Sequence, residues 1–207
     1  MKKRYIAIIG ILLLYFLAKM QLSNSIAEKD AINVSQVSLN LDKKDFNVLV
    51  YSQANEWVHE DAIPAAIEMI NLLSEQNDWN LTISDEASIY NPNQLALFDV
   101  VIWNNVTGNT LNTNQRLAFK NYLENGGGFV GFHGSGDSSG SWDWYYDEVI
   151  RARFSHHPMV PQFQVGTLNK ECPENFPACK ELPIRWDQEE EWYVFYDSPR
   201  NKGAHIL

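Results

Sequence analysis

The sequence predicts an α/β fold, a mostly parallel sheet wrapped by helices on both faces. Three observations carry this. Short β-rich runs recur that are apolar throughout, as strands buried on both faces are. Segments with apolar residues at helical spacing separate them, bounded by turn residues. Repeated β–α alternation with strands of this kind implies a parallel sheet covered on both sides.

Taken in order, the chain begins with Lys2, Lys3 and Arg4, followed by an apolar run over residues 5–18. A basic start, a short apolar stretch and small residues at Ser25 and Ala27 make residues 1–27 a signal peptide or an N-terminal membrane anchor. The expectation is an exported chain, periplasmic or extracellular, touching membrane only through this segment. Residues 28–44 are polar and aperiodic, a linker. Residues 45–207 then form the domain. Overall the 207 residues carry 16 Lys+Arg against 26 Asp+Glu; the leader holds four of the bases and no acid, which leaves a net −14 on the remainder. That surface argues against a nucleic-acid backbone partner; it suits a neutral or cationic ligand, or simply serves solubility.

Within the domain, residues 46–52 (FNVLVYS) predict the first strand. Ile63, Ile67, Ile70 and Leu73 give a helix, with Pro64 in its first turn, where proline is tolerated. Residues 81–83 and 99–103 (DVVIW) predict the next two strands. Thr113 is placed to cap a helix carrying Leu117, Phe119, Tyr122 and Leu123, which stops at the Asn125–Gly128 turn signal. Residues 129–132 form the fourth strand. Ligand sites in such sheets follow the carboxyl ends of strands, so attention falls on residues 53–61, 104–109 and 133–143.

The strand-to-helix turn GFHGSGD, residues 131–137, is the strongest local feature. In hydrolases and amidotransferases of this architecture the elbow carries a serine or cysteine nucleophile; here His133 stands at the strand end. Ser135 does not sit in a G-x-S-x-G pattern and no thiol is near, so thiol amidotransfer is excluded. His133 suits a general base or a metal ligand, with Asp137 as its partner; a histidine that simply holds the turn is the structural alternative. His59, after strand one, reaches the same sheet edge, whereas Glu60 and Asp61 suit a helix N-terminus. Trp142, Trp144 and Tyr145, with Asp143, offer flat rings for the C–H face of a sugar and a carboxylate for its hydroxyls, or else core packing. His157 of the pair His156-His157 can face a cleft, and Glu191 beside Trp192 can join it, although three successive acids more often form a solvated face. Histidines and acids of this kind can hold a divalent metal such as zinc, but no tight ligand spacing is present. Cys172 and Cys179 flank a Pro-containing loop and can form a small disulfide in an exported chain.

These pieces resemble the ThuA-like family, named for trehalose utilisation, in the class I glutamine amidotransferase-like superfamily. The resemblance rests on VHEDAIPAAI, DVVIWNNVTGNTLNTNQ, ENGGGFVGFHGSGD, WDWYYDEVIRARFSHHP and EEWYVFYDSPRNKGAHIL, in order over residues 47–207. It implies a flavodoxin-like three-layer sandwich and a sugar-related role. It also implies pocket residues at His59, His133, Asp137, His157, Glu191 and Trp192. Val58 departs from the arginine common before the first histidine in the family. Because relatives continue past the strand-like start at residues 204–207, the resemblance implies a domain truncated at its C-terminus. The expected function is action on a sugar or modified glycoside, by hydrolysis or elimination. The alternative is a carbohydrate-binding or accessory module of the same fold without chemistry.

Overall fold

The computed structural model describes residues 46–137, 139–172 and 176–207. The leader and linker expectations fall on residues outside these. Among the described residues no helix is long and apolar enough to cross a membrane. They fall into two compact units, one ending at Ser135 and one running from Gly136 to Leu207.

The first unit is built on four parallel strands: β1 (Asn47–Tyr51), β2 (Asn80–Ser84), β3 (Val100–Asn104) and β4 (Gly128–Phe132). Their order in the sheet is β2-β1-β3-β4, which is the first four strands of the flavodoxin-like order. Three helices connect them: α1 (Ala62–Asn77), the short α2 (Pro92–Leu95) and α3 (Thr113–Glu124). Because side chains alternate along a strand, β1 feeds both layers. Val48 and Val50 pack with Met69 and Ile70 of α1, Ile102 of β3 and Phe132 of β4. On the other face, Tyr51 meets Tyr90, and Trp103 stacks on Phe119 of α3 at 5.2 Å. The Trp103 indole N–H donates to the Tyr90 hydroxyl at 2.6 Å, so the one polar edge of that buried ring is satisfied. Val48, Leu49, Val50 and Tyr51 are all fully buried, which explains why β1 lacks polar alternation.

The start of α3 corrects the sequence reading. Asn112, not Thr113, is the N-cap: its side chain accepts from the backbone N–H groups of Asn114 and Gln115, while the Gln115 side chain accepts from the Asn112 N–H. This is a capping box, which satisfies donors at the helix start reciprocally. Thr113 is the first residue inside the helix.

The second unit has a helical turn of π type at Tyr145–Ile150 and two small antiparallel pairs. In the first pair, β5 (Phe154–His156) lies against β8 (Val194–Phe195). In the second, β6 (Gln164–Asn169) lies against β7 (Arg185–Glu190). Trp192 lies across the latter pair: its indole N–H donates to the Gln164 carbonyl at 2.8 Å, and a Cβ added at Gly166 would come within 2.6 Å of its ring. Glycine is needed there because the indole occupies that space. Cys172 and Cys179 are joined by a disulfide.

Candidate functional site

In the first unit β1, β3 and β4 are neighbours, and the sheet order reverses at β1, with β2 on one side and β3 on the other. A crevice at the carboxyl ends follows from that reversal. The loop after β1 and the loop after β3 are tied together across it. Ala54 bridges Thr107, the Asn55 N–H donates to the Thr107 carbonyl at 2.9 Å, and the Thr107 hydroxyl donates to the Trp57 carbonyl at 2.9 Å. His59 is thereby delivered to the end of β4. There its ring meets that of His133 edge to face, with centroids 4.7 Å apart. A ring nitrogen of one lies within 4.8 Å of a ring nitrogen of the other. Both rings are half-buried.

The backbone at this point is unusual. His133 opens a 3₁₀ turn, His133–Gly136, with φ of 37°, in the left-handed region that most side chains avoid. Gly134 follows because nothing larger fits: an added Cβ would lie 2.9 Å from Cγ2 of Thr107 and 3.2 Å from Cε1 of His59. The buried Ser135 hydroxyl donates to the Trp103 carbonyl at 3.0 Å and accepts from the Val106 N–H at 3.2 Å, which clamps the turn to the end of β3. Ser135 is thus a structural tie, consistent with the absence of a serine nucleophile pattern.

At the end of β3, the fully buried Asn104 donates from its side chain to the Ser52 hydroxyl and the Ile63 carbonyl. Asn105 is also left-handed, with φ of 55°, and its side-chain N–H donates to the Asn104 side-chain oxygen at 3.0 Å. The Asn105 Oδ1 is buried and accepts no hydrogen bond from the described residues. Sequence reasoning marked residues 104–109 only as a segment. The signal it held was two consecutive amides directly after an apolar strand, since polar groups at a buried strand end need partners.

The second unit gathers another set of predicted residues. Glu191 is 7% exposed; its carboxylate accepts from the Gln162 side chain at 2.6 Å and lies 3.3 Å from Nδ1 of His157. His157 stacks on Tyr193 at 5.8 Å, whereas His156 is exposed. Burial pushes the Tyr193 hydroxyl well above its usual range, and the charges of Glu191, Asp137 and Glu190 push the same way. Burial also raises the Glu190 carboxyl. Asp137 Oδ1 accepts from both the backbone N–H and the hydroxyl of Ser139, so that oxygen shapes the loop. Trp142 packs against Trp144 at 5.2 Å and stacks on Tyr145 at 5.8 Å. Tyr145 is buried and its hydroxyl is pushed up by desolvation; the Asp143 carboxylate pairs with Arg153 at 2.9 Å. Within the first unit the predicted residues form a His59–His133 pair; within the second they form a His157–Glu191 pair, an aromatic stack and a Trp192 that covers a β-hairpin.

A family model described as ThuA, trehalose utilisation, matches residues 47–207. The crystal structure of a ThuA-like protein from Bacteroides uniformis superposes with a TM-score of 0.63 and 26% identity, over 78% of this chain and 66% of that one. The chain therefore spans just under two thirds of that protein. No curated protein matches significantly.

Proposed function

Since the chain belongs to the ThuA family of trehalose utilisation, we propose that it acts on a sugar or modified glycoside at the carboxyl ends of β1 and β4, with His133 as general base. The observation that carries this is the edge-to-face pairing of His59 with His133 on a strained turn. A left-handed non-glycine residue persists only where its surroundings over-determine it, and such positions cluster at working sites. His133 takes a proton from a sugar hydroxyl or from the water that attacks the glycoside. His59 fixes the orientation of the His133 ring. The buried Asn105 Oδ1 offers an acceptor to a substrate hydroxyl, the donor it lacks among the described residues. Two imidazoles also suit a divalent ion such as zinc, which would supply Lewis-acid polarisation.

Export is part of this proposal. The basic and apolar start of the chain supports it, and so does a cysteine pair bonded as in oxidising compartments.

The test is turnover of a panel of disaccharides and oxidised glycosides by the parent, His133→Ala and His59→Ala, with metal content measured on each protein. The expected result is a loss of roughly 10²–10⁴-fold for His133→Ala, the range of a general base, with the melting temperature little changed. Unchanged turnover in that variant overturns the assignment. If the parent binds sugar and turns nothing over, the chain is the carbohydrate-binding module instead.

A further inference from the structure

The ribbon of β6 and β7 in the second unit has two open edges of unlike character. β6, Gln164–Asn169, holds no charged residue, whereas four of the six residues of β7 are charged: Arg185, Asp187, Glu189 and Glu190. The ladder shows which main-chain groups lie on the β6 edge. The Lys170 N–H donates to the Ile184 carbonyl at 2.9 Å, so that pair and every second pair before it are the hydrogen-bonded ones. The pairs Thr167–Asp187 and Val165–Glu189 lie between them, and their N–H and C=O groups point away from the ribbon. Val165 and Thr167 are both exposed, and no hydrogen bond among the described residues meets their main-chain groups on this edge.

An edge strand of this kind pairs with another strand unless charge guards it. β7 carries that guard and β6 does not. The chain leading into β6 adds apolar surface at the same end: Met159 is 65% exposed, Val160 94%, Phe163 58% and Val165 69%. Hydrocarbon would leave the edge N–H and C=O groups without partners, so a lipid surface does not suit it. A second copy of the strand does. Four side chains exposed to this degree present about 500 Å², and a second copy doubles that to about 1,000 Å², where specific interfaces begin. Pairing about a two-fold axis sets each β6 residue against another of β6, so no charge meets its like. The same pairing at β7 would gather the carboxylates of Asp187, Glu189 and Glu190 from both copies at one seam.

We propose that the chain forms a symmetric dimer through the β6 edge, in the strand order β7-β6-β6-β7. Val165 stands opposite Val165 of the second copy, and each Phe163 faces a Thr167. The charged β7 edges lie outermost and stop the sheet at four strands, so association closes at two copies. Sedimentation equilibrium of the full chain over a range of concentration and salt tests this. Expected is a monomer–dimer equilibrium that tightens with salt, because both copies are acidic and screening relieves their repulsion. Val165→Lys sets two ammonium groups opposite each other and weakens the dimer by about tenfold or more. Thr167→Pro removes an outward N–H, keeps the β6–β7 ladder and weakens the dimer as strongly. Ile184→Ser, at the far end of the ribbon and 78% exposed, leaves it unchanged, which separates the edge from general stickiness. Melting temperatures check that each variant folds. A parent that stays monomeric, or a dimer that neither β6 variant weakens, leaves the edge to another occupant and overturns the proposal. Flotation of the parent with phosphatidylcholine vesicles, lost in Val165→Lys, assigns the patch to lipid and overturns it as well.

Discussion

At the scale of single residues, the fit around Gly134 couples the turn after β4 to the loops after β1 and β3. A methyl group there would meet Thr107 at 2.9 Å and His59 at 3.2 Å. Either the threonine or the imidazole must then move. Gly134→Ala is expected to fold with a stability loss of about 1–3 kcal/mol, the usual range for overpacking, and to lose turnover out of proportion as His59 shifts away from His133. Thr107→Ser keeps the hydroxyl that holds Trp57 and removes the crowding methyl. The double variant should therefore recover part of both losses, a coupling measurable by a double-mutant cycle. Additive losses would show that Gly134 does not act through this contact. Which residues meet was only partly legible in the sequence. His59 and His133 could be placed on one edge because parallel strands end together. Their edge-to-face contact, the amide pair Asn104-Asn105 and the Ser135 clamp depend on loop geometry that no local pattern encodes.

At the scale of elements, the helix starts and the strands of the second unit are instructive. Asn112→Ala removes the capping box of α3 and should lower stability by about 1 kcal/mol, read from chemical denaturation. Thr113→Ala should change it by only a few tenths, since Thr113 supplies no cap; the opposite ranking would restore Thr113 as the cap. The segment Asn112-Thr113-Asn114-Gln115 offers several capping types, and the deciding signal was the three-residue spacing from Asn112 to Gln115. All four strands of the parallel sheet were legible, β1, β3 and β4 as short apolar runs and β2 as the brief stretch at residues 81–83 between turn signals. The pair β6 and β7 was not. Its inward positions include Gln164, Gly166, Gln188 and Glu190, so no period-two apolar pattern exists to read. The acidic run ending in Glu191 looked like a solvated face for the same reason. The end of β7 splits it: alternation leaves Glu189 exposed and Glu190 half-buried, and Glu191, just past the strand, is buried.

At the scale of the whole molecule, buried phenols set its alkaline limit. Desolvation is the leading cause for each of four tyrosines. Tyr51 is pushed up to about 12, and Tyr122, Tyr145 and Tyr193 are also raised. In the unfolded chain a phenol ionises near about pH 10. Below that pH both states hold the proton and the burial is fully tolerated. As pH rises from about 10 toward the folded values, the unfolded chain releases protons that the folded chain keeps, so stability falls. Denaturation midpoints should be flat up to about pH 9 and drop beyond about pH 10, and phenolate absorbance should rise late for these four rings. Tyr51 and Tyr122 lie in the first unit, Tyr145 and Tyr193 in the second, so both units should weaken. A midpoint that holds steady above pH 10 would contradict the burial of these hydroxyls.

The central position of β1 also bears on synthesis. Its partners lie far along the chain: Asn47 pairs with Asn80, and Val48 with Val100. A nascent chain therefore carries NVLVY without both of its neighbours until residues 80–104 have left the ribosome, a delay of about 3–10 s at ordinary elongation rates. During that interval the five residues are an uncharged, β-prone window open to pairing with other chains. Lys43, Lys44 and Asp45, immediately before the strand, place charge where such a window most needs it. The segment that organises the finished sheet is thus also the one that waits longest for cover.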